Sequence, residues 1–370
     1  MTLSMLRGEA GNQSRELDDL IHWLRKAEPH TDVVCLSNAL LLGQARRLKS
    51  ELRTPVVCTL QGEDSFLDAL PASHRAICWQ TLAERAAEVD AFISPSKYFA
   101  NVMAERLGLP PSRIRVVLNG IDLAGFHPPT PVAGGSGNDS AQALPATRAA
   151  PVRKLQSASV LGYFARMCRE KGLDTLIEAF VHLRGRERMK DLRLRVGGSC
   201  GPADEPFVNS LRRRLKQERL LEAVEFHPNL ERSAKLAFLR GLSVFSVPAR
   251  YGEAFGLYVL EAMAAGVPVA QPKTAAFPEI IDATGGGVLC APGDPKALAD
   301  AIADLLQEPE RARALGQAGA RAVFERFSSQ SMASGCLRVF EEVRSPLAQA
   351  QALEMTGTGI GQSARDLQTH

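Results

Sequence analysis

Two blocks of alternating strand-length and helix-length patterns, parted by a stretch rich in Pro, Gly, Ala and Ser, limit what this 370-residue chain can become. Short β-branched runs that alternate with amphipathic stretches predict parallel sheets joined by crossover helices, hence an α/β fold. In the first block the strand-like runs are 32–37, 55–60, 91–94 and 114–118, and apolar residues recur at helical spacing over 14–26, 40–52, 75–88 and 96–107. Asn119-Gly120 closes the last run with a turn dipeptide. From Pro128 to about Ser157 the composition is that of a flexible linker, with Gly-Gly-Ser-Gly-Asn-Asp-Ser at 134–140. Alternation then resumes at 159–164 and continues through 192–196, 224–226, 243–247 and 268–271, followed by helical patterns at 295–306 and 310–327. The sequence therefore predicts an N-terminal domain over 1–127, a linker over 128–157, a C-terminal domain over 158–344 and a disordered tail over 345–370. The length agrees, since a single core stops growing at about 250–300 residues.

The two blocks differ in one respect. The first offers about four strands and starts on a helix, where a doubly wound sheet opens with a strand and a glycine-rich turn. The first domain accordingly reads as incomplete, without its opening strands.

Several function classes are excluded by simple counts. A hydrophobic fraction of 45% with 23% charged residues is that of a globular protein, not of a collagen, a coiled coil or a disordered chain. Lys plus Arg exceed Asp plus Glu by only 44 to 41, so bulk charge gives no nucleic-acid partner. Cys35, Cys58, Cys78, Cys168, Cys200, Cys290 and Cys336 are scattered singly, with no Cys-x-x-Cys pair, and read as small buried hydrophobes in a reducing compartment. Charged residues at 7, 9, 15, 16, 18 and 19 interrupt any secretion signal, and no apolar run reaches the roughly 18 residues that span a bilayer. The expected location is cytoplasmic. The run Arg212-Arg-Arg-Leu-Lys216 with Arg219 reads as the solvated face of a helix, with weak peripheral contact to anionic lipid as the alternative.

The chemistry concentrates at 243–272. There a strand ends in Pro248-Ala-Arg-Tyr-Gly252, the acid Glu253 follows, and a helix begins near Gly256 and carries Glu261. A helix start presents unpaired amides and the positive end of a dipole, which suits a phosphate. Here those amides belong to Phe255, Gly256 and Leu257, and Gly256 lets a ligand approach the backbone closely. Paired hydroxyls of a sugar or ribose are natural partners for a carboxylate such as Glu253 or Glu261.

Glu253-x7-Glu261, set in Tyr-Gly-Glu-Ala-Phe-Gly-Leu-Tyr-Val-Leu-Glu-Ala-Met-Ala-Ala-Gly-Val-Pro-Val, strongly resembles the retaining glycosyltransferases of family four. Phe277-Pro-Glu-Ile-Ile resembles that family's Pro-Glu turn. Gly162-Tyr-Phe-Ala-Arg166 through Glu170-Lys171-Gly172-Leu173 resembles its phosphate segment. The resemblance covers 159–327 well and 32–126 more loosely.

It implies the GT-B fold, two Rossmann-like domains whose parallel sheets face each other across a cleft, the donor held by the second and the acceptor met by the first. It further implies a nucleoside-diphosphate sugar as donor substrate, a hydroxyl acceptor, and neither cofactor nor catalytic metal. By the same resemblance Arg166 and Lys171 contact the diphosphate, Glu261 binds the ribose and Glu253 lies beside the sugar. The backbone at Pro228, Asn229 and Leu230, in a loop with His227, meets the base. Relatives commonly carry a His-Gly pair facing the donor, and Gln61-Gly62 stands there instead. A glutamine can hydrogen-bond a sugar hydroxyl but does not titrate near neutrality. Two alternatives stay open: a truncated or degenerate GT-B protein that binds nucleotide sugar without catalysis, and a GT-B sugar-nucleotide epimerase. Sugar, base, acceptor and oligomeric state are not legible.

Overall fold

The computed structural model describes residues 1–27, 29–129 and 159–357, with side chains through 344. The chain forms two compact units: unit 1 comprises Met1–Gly120, Gly252–Phe255 and the chain from Phe327, and unit 2 comprises Ile121–Tyr251 and Gly256–Arg326.

Unit 1 opens with helices α1 (Thr2–Arg7) and α2 (Ser14–Arg25). There follow β1 (Val34–Leu36), α3 (Ala45–Leu52), β2 (Val56–Thr59), α4 (Glu63–Asp68), α5 (Ala72–Ala86), β3 (Ala91–Ser94), α6 (Lys97–Leu107) and β4 (Ile114–Val116). The four strands make one parallel sheet in the order β1-β2-β3-β4. The helix predicted over 40–52 is divided: residues 39–44 form a 3₁₀ turn capped by the Asn38 side chain on Leu40 N at 3.0 Å, and only 45–52 are α-helical. Gly43 lets this turn approach α1 closely, because a Cβ there would lie 2.1 Å from Met5 O. One face of the sheet packs on the helices through Val56, Cys58, Phe92, Leu42, Leu82, Phe99 and their neighbours.

In unit 2 the order is β5 (Val160–Phe164), α7 (Leu173–Arg184), β6 (Arg193–Gly198), α8 (Glu205–Gln217), β7 (Val224–Pro228), α9 (Arg232–Arg240) and β8 (Val244–Phe245). Then come α10 (Leu257–Ala264), β9 (Val269–Pro272), α11 (Phe277–Thr284), β10 (Gly287–Cys290), α12 (Pro295–Gln307) and α13 (Pro309–Arg326). Its six strands form a parallel sheet in the order β10-β9-β8-β5-β6-β7. With helices on its faces, central strands such as β5 are buried almost throughout, which is why the sequence there reads as a continuous apolar run.

The last helix, α14 (Ser329–Gly357), belongs to unit 1 and corrects the boundary drawn at 344. Its apolar stripe Cys336, Val339, Phe340 and Val343 packs with Val57, Ala91 and Ile93, covering the second face of the unit 1 sheet. The tail expected from Ser345 is helical as far as Gly357, and 358–370 lie outside the described residues. The linker predicted over 128–157 also lies outside them, apart from residues 128 and 129.

Candidate active site

The unit 2 sheet reverses its order of growth at β5: β6 and β7 add on one side, β8, β9 and β10 on the other. Where successive connections leave for opposite faces, a crevice opens outside the carboxyl ends of the strands, and open α/β sheets bind ligands there. Two loops bound this switch point, Ala165–Gly172 after β5 and the segment from Ser246 that leads to α10.

The first loop carries the predicted cations. The buried Tyr163 hydroxyl donates to Arg166 O at 2.8 Å and fixes the backbone beneath that side chain. Arg166 Nε donates to both Asp204 oxygens at 3.1 Å and Nη2 lies 2.9 Å from Oδ1, so Asp204 occupies one edge of the guanidinium. Asp204 is nearly buried and also accepts from Gly201 N at 3.2 Å, and the hydrogen bond from Arg166 holds its carboxyl below the usual range. The Arg166 side chain remains 59% exposed, open to an anionic ligand.

Lys171 Nζ donates to the Tyr251 hydroxyl and lies 4.9 Å from the Tyr251 ring centroid and 5.2 Å from that of Tyr258. Its neighbour Gly172 has φ 69°, and a Cβ there would stand 1.9 Å from Pro248 O. Arg250 N donates to Glu170 O at 2.9 Å, and the Arg250 side chain reaches Thr175 Oγ1 at 3.2 Å and Asp174 Oδ2 at 3.1 Å. The two loops at the switch point are thus fastened to each other at several places.

Helix α10 starts at Leu257 after Gly256, whose φ of 99° is one that L side chains rarely adopt. Leu257 is exposed at this end. Glu261, one turn inside, pairs with Lys235 of α9 at 2.5 Å, and Lys235 Nζ also lies 4.9 Å from the Phe164 ring centroid at the end of β5. The segment around His227 is not a loop: β7 runs through His227 to Pro228, and His227 Nε2 lies 3.2 Å from Glu225 Oε2. Beyond it Asn229 sits at φ 55°, its side chain bonded to both backbone groups of Cys200 at 3.0 and 3.1 Å, and Leu230 follows half-buried. The Asn229 side chain is therefore a clasp between the loops after β6 and β7, and Pro228 is exposed beside it.

The remaining predicted residues lie in unit 1. Glu253 and Phe255 are buried there in the loop Gly252–Phe255, whose Ala254 O accepts from Ser96 Oγ at 2.7 Å. The same hydroxyl accepts from Phe99 N at 3.0 Å and caps α6. A Cβ on Gly62 would lie 3.7 Å from Ala254 Cβ, so the Gln61-Gly62 turn packs against this loop. The buried Glu63 accepts from Ala39 N at 2.7 Å and from Gln61 N at 2.8 Å, and burial raises its carboxyl above the usual value. The side chain of Gln61 is exposed.

Sequence reasoning missed Asp204, Lys235, Tyr251 and Tyr258, the partners of Arg166, Glu261 and Lys171. Asp204 and Lys235 lie 38 and 26 residues from their partners, and local spacing carries no signal over such distances. Tyr251 and Tyr258 flank Glu253 in the motif itself and were legible only as neighbours. Among the described residues no group of three His, Cys, Asp or Glu is placed to hold a metal ion, and no helix is long and apolar enough to cross a membrane. Arg214 of α8 pairs with Glu178 and Glu218, and Arg212 lies 4.7 Å from the centroid of the Phe226 ring, so part of the basic run is engaged within unit 2.

Two family models match, one described as glycosyl transferases group 1 over residues 149–322, the other as glycosyltransferase family 4 over 7–124. The chain belongs to glycosyltransferase family four. Among curated family relatives, a D-inositol 3-phosphate glycosyltransferase of Xylanimonas cellulosilytica is 32% identical over 254 residues, 68% of this chain and 57% of that protein. A lipopolysaccharide core biosynthesis mannosyltransferase of Rhizobium meliloti, LpsB, is 29% identical over 235 residues, 62% of this chain and 60% of that protein. The match thus spans less than two thirds of either relative. Among solved structures, HepE of Anabaena in complex with UDP superposes with a TM-score of 0.72 at 16% identity, covering 90% of this chain and 84% of HepE. Sucrose-phosphate synthase of Thermosynechococcus elongatus superposes at 0.69 with 20% identity, covering 92% and 82%. The fold is GT-B.

Proposed function

We propose that this family-four chain transfers a sugar from a nucleoside diphosphate to a hydroxyl acceptor, with retention at the anomeric carbon. The observation that carries the proposal is the unit 2 switch point, where one loop supplies Arg166 and Lys171 and the other supplies the start of α10. Two cations and a helix N-terminus together favour a diphosphate, and they favour it more as charge grows on the leaving oxygen. Glu261 accepts from the ribose hydroxyls and is paired with Lys235. The amides at Gly256 and Leu257 meet the phosphate or sugar, and the backbone at Pro228–Leu230 faces the base. Glu253 lies beside the transferred sugar, and the amide of Phe255 is a further donor for the phosphates.

The bond from the anomeric carbon to the diphosphate oxygen breaks, and the acceptor oxygen bonds to that carbon on the same face. The acceptor's proton passes to the departing phosphate oxygen, so no side chain need act as base. HepE, which shares the fold, is known with UDP and with UDP-glucose, which supports a nucleotide sugar as donor. Every cysteine among the described residues is a free thiol, in keeping with a reducing, cytoplasmic setting.

Calorimetry with UDP, GDP and ADP tests the site. One of them binds the wild type, and Glu261→Ala and Lys171→Ala each weaken it by about tenfold or more, the effect of losing one charge-assisted hydrogen bond. Undiminished binding by both variants rules the assignment out. Retention is read from the anomeric configuration of the product by NMR.

A further inference from the structure

An ion pair joins α9 to α10, with Lys235 Nζ donating to Glu261 Oε1 at 2.5 Å and both side chains half-buried. The last torsion of a glutamate is broad, so a carboxylate left to itself presents a ligand with no fixed acceptor direction. Here Oε1 is engaged, and Oε2 has no partner among the described residues. The lysine that fixes Oε1 is itself held at both ends. Its backbone N closes the first turn of α9 on Glu231 O at 2.9 Å. Its ammonium lies over the Phe164 ring, 4.9 Å from the centroid, where the quadrupole of the face attracts it. Phe164 cannot drift, since the Phe238 ring meets it edge-on at 5.4 Å and its Cδ2 would lie 2.6 Å from a Cβ on Gly197.

We infer that Lys235 is a positioning residue that aims Glu261 at the donor ribose and so selects ribonucleotides over deoxy forms, an inference that rests on the donor site proposed above. Lys235 acts through Glu261: it holds Oε1 and leaves Oε2 to accept from the vicinal hydroxyls, acceptors being all that an ionised carboxylate offers. Helix α9 opens at Arg232, just after the Pro228–Leu230 backbone, so the same connection that faces the base also carries the lysine that orients the ribose acceptor. Phe164 ends β5, the strand at which the sheet reverses its order, and ties both to the switch point. The carboxylate is thereby aligned before any ligand arrives, and the diol meets it without the cost of ordering it.

The test titrates UDP, GDP and ADP into the wild type by calorimetry, takes the one that binds and compares it with its 2′,3′-dideoxy form. The wild type prefers the ribose form by about tenfold or more, the effect of hydrogen bonds from the diol to a charged acceptor. Lys235→Met keeps the stem and removes the charge, and its preference falls to within about twofold of that of Glu261→Ala. Lys235→Gln, also uncharged, behaves in the same way. Lys235→Arg keeps a cation over Phe164 and retains the preference to within about threefold of the wild type. On a Glu261→Ala background Lys235→Met alters the preference no further. The inference is overturned by wild-type preference in the uncharged variants, or by their losing affinity equally for both forms, as a merely structural residue would. It is equally overturned by a Lys235→Arg variant no better than Lys235→Met, or by a further change on the Glu261→Ala background. Those outcomes leave the donor site standing. A wild type that binds none of the three, or binds one without preferring the ribose, overturns the donor-site assignment and the role of Lys235 with it.

Discussion

Gly172→Ala offers a measurement in which the size of the effect follows from coordinates. Two costs combine at this position. The backbone sits at φ 69°, where an L residue is disfavoured by roughly 1–2 kcal/mol. The new Cβ would also stand 1.9 Å from Pro248 O, far inside the roughly 3.5 Å at which non-bonded atoms are comfortable. That oxygen cannot retreat cheaply, because the next residues are tied down by Arg250 N to Glu170 O at 2.9 Å. Overpacking of this kind adds roughly 1–3 kcal/mol, giving a total of about 2–5 kcal/mol. Gly266 supplies the control within the same unit. Its φ is 76°, but a Cβ there meets nothing within 4 Å, so Gly266→Ala loses only the backbone part, about 1–2 kcal/mol. Both tryptophans, Trp23 and Trp79, lie in unit 1, so urea unfolding of unit 2 is followed by far-ultraviolet circular dichroism while indole fluorescence monitors unit 1 separately. Equal losses of stability for the two variants would refute the reasoning, since the steric part would then be absent.

Two further perturbations bear on the site. Arg166 lowers the Asp204 carboxyl, so the pair contributes stability above the unfolded carboxylate pKa of about 3.9 and loses it as pH falls through the depressed value. Asp204→Asn should therefore show its deficit near neutrality, at most about 1 kcal/mol with Arg166 so exposed, and converge on the wild type in acid unfolding curves. Glu63→Ala strands two backbone donors, Ala39 N and Gln61 N, and should destabilise unit 1 by about 2–4 kcal/mol, read by indole fluorescence. Because burial raises the Glu63 carboxyl, its sign is the reverse of that for Asp204. The native chain binds this proton more readily than the unfolded chain, and the Glu63 contribution grows more favourable as pH falls through the raised value.

What the sequence made legible is what has a local period. The predicted strands 91–94 and 159–164 fall on β3 and β5 to within a residue or so, because parallel strands covered on both faces read as apolar runs. The 243–272 motif was legible too, because a glycine at positive φ, a helix start and an acid one turn later are all fixed within eight residues. Partners set by the sheet's strand order were not. Asp204 reaches Arg166 because β6 lies next to β5, and the strand order is not written at any one position. The resemblance implies a loop at His227, yet β7 runs through it to Pro228 at the edge of its sheet, where a proline is tolerated. The stripe at 336, 339, 340 and 343 has helical spacing, but nothing in it names the sheet that it covers.

That α14 covers one face of the unit 1 sheet bears on how the protein is made. Unit 2 is nearly continuous in sequence, whereas unit 1 is assembled from stretches on either side of it. On the ribosome β1 through β4 emerge first, and Val57, Ala91 and Ile93 wait for Val339 until all of unit 2 has been synthesised. At about 5–20 residues per second that interval is on the order of 10–45 s. Over that time an apolar sheet face stands open to any chaperone, or to another nascent chain, that finds it before its own helix does.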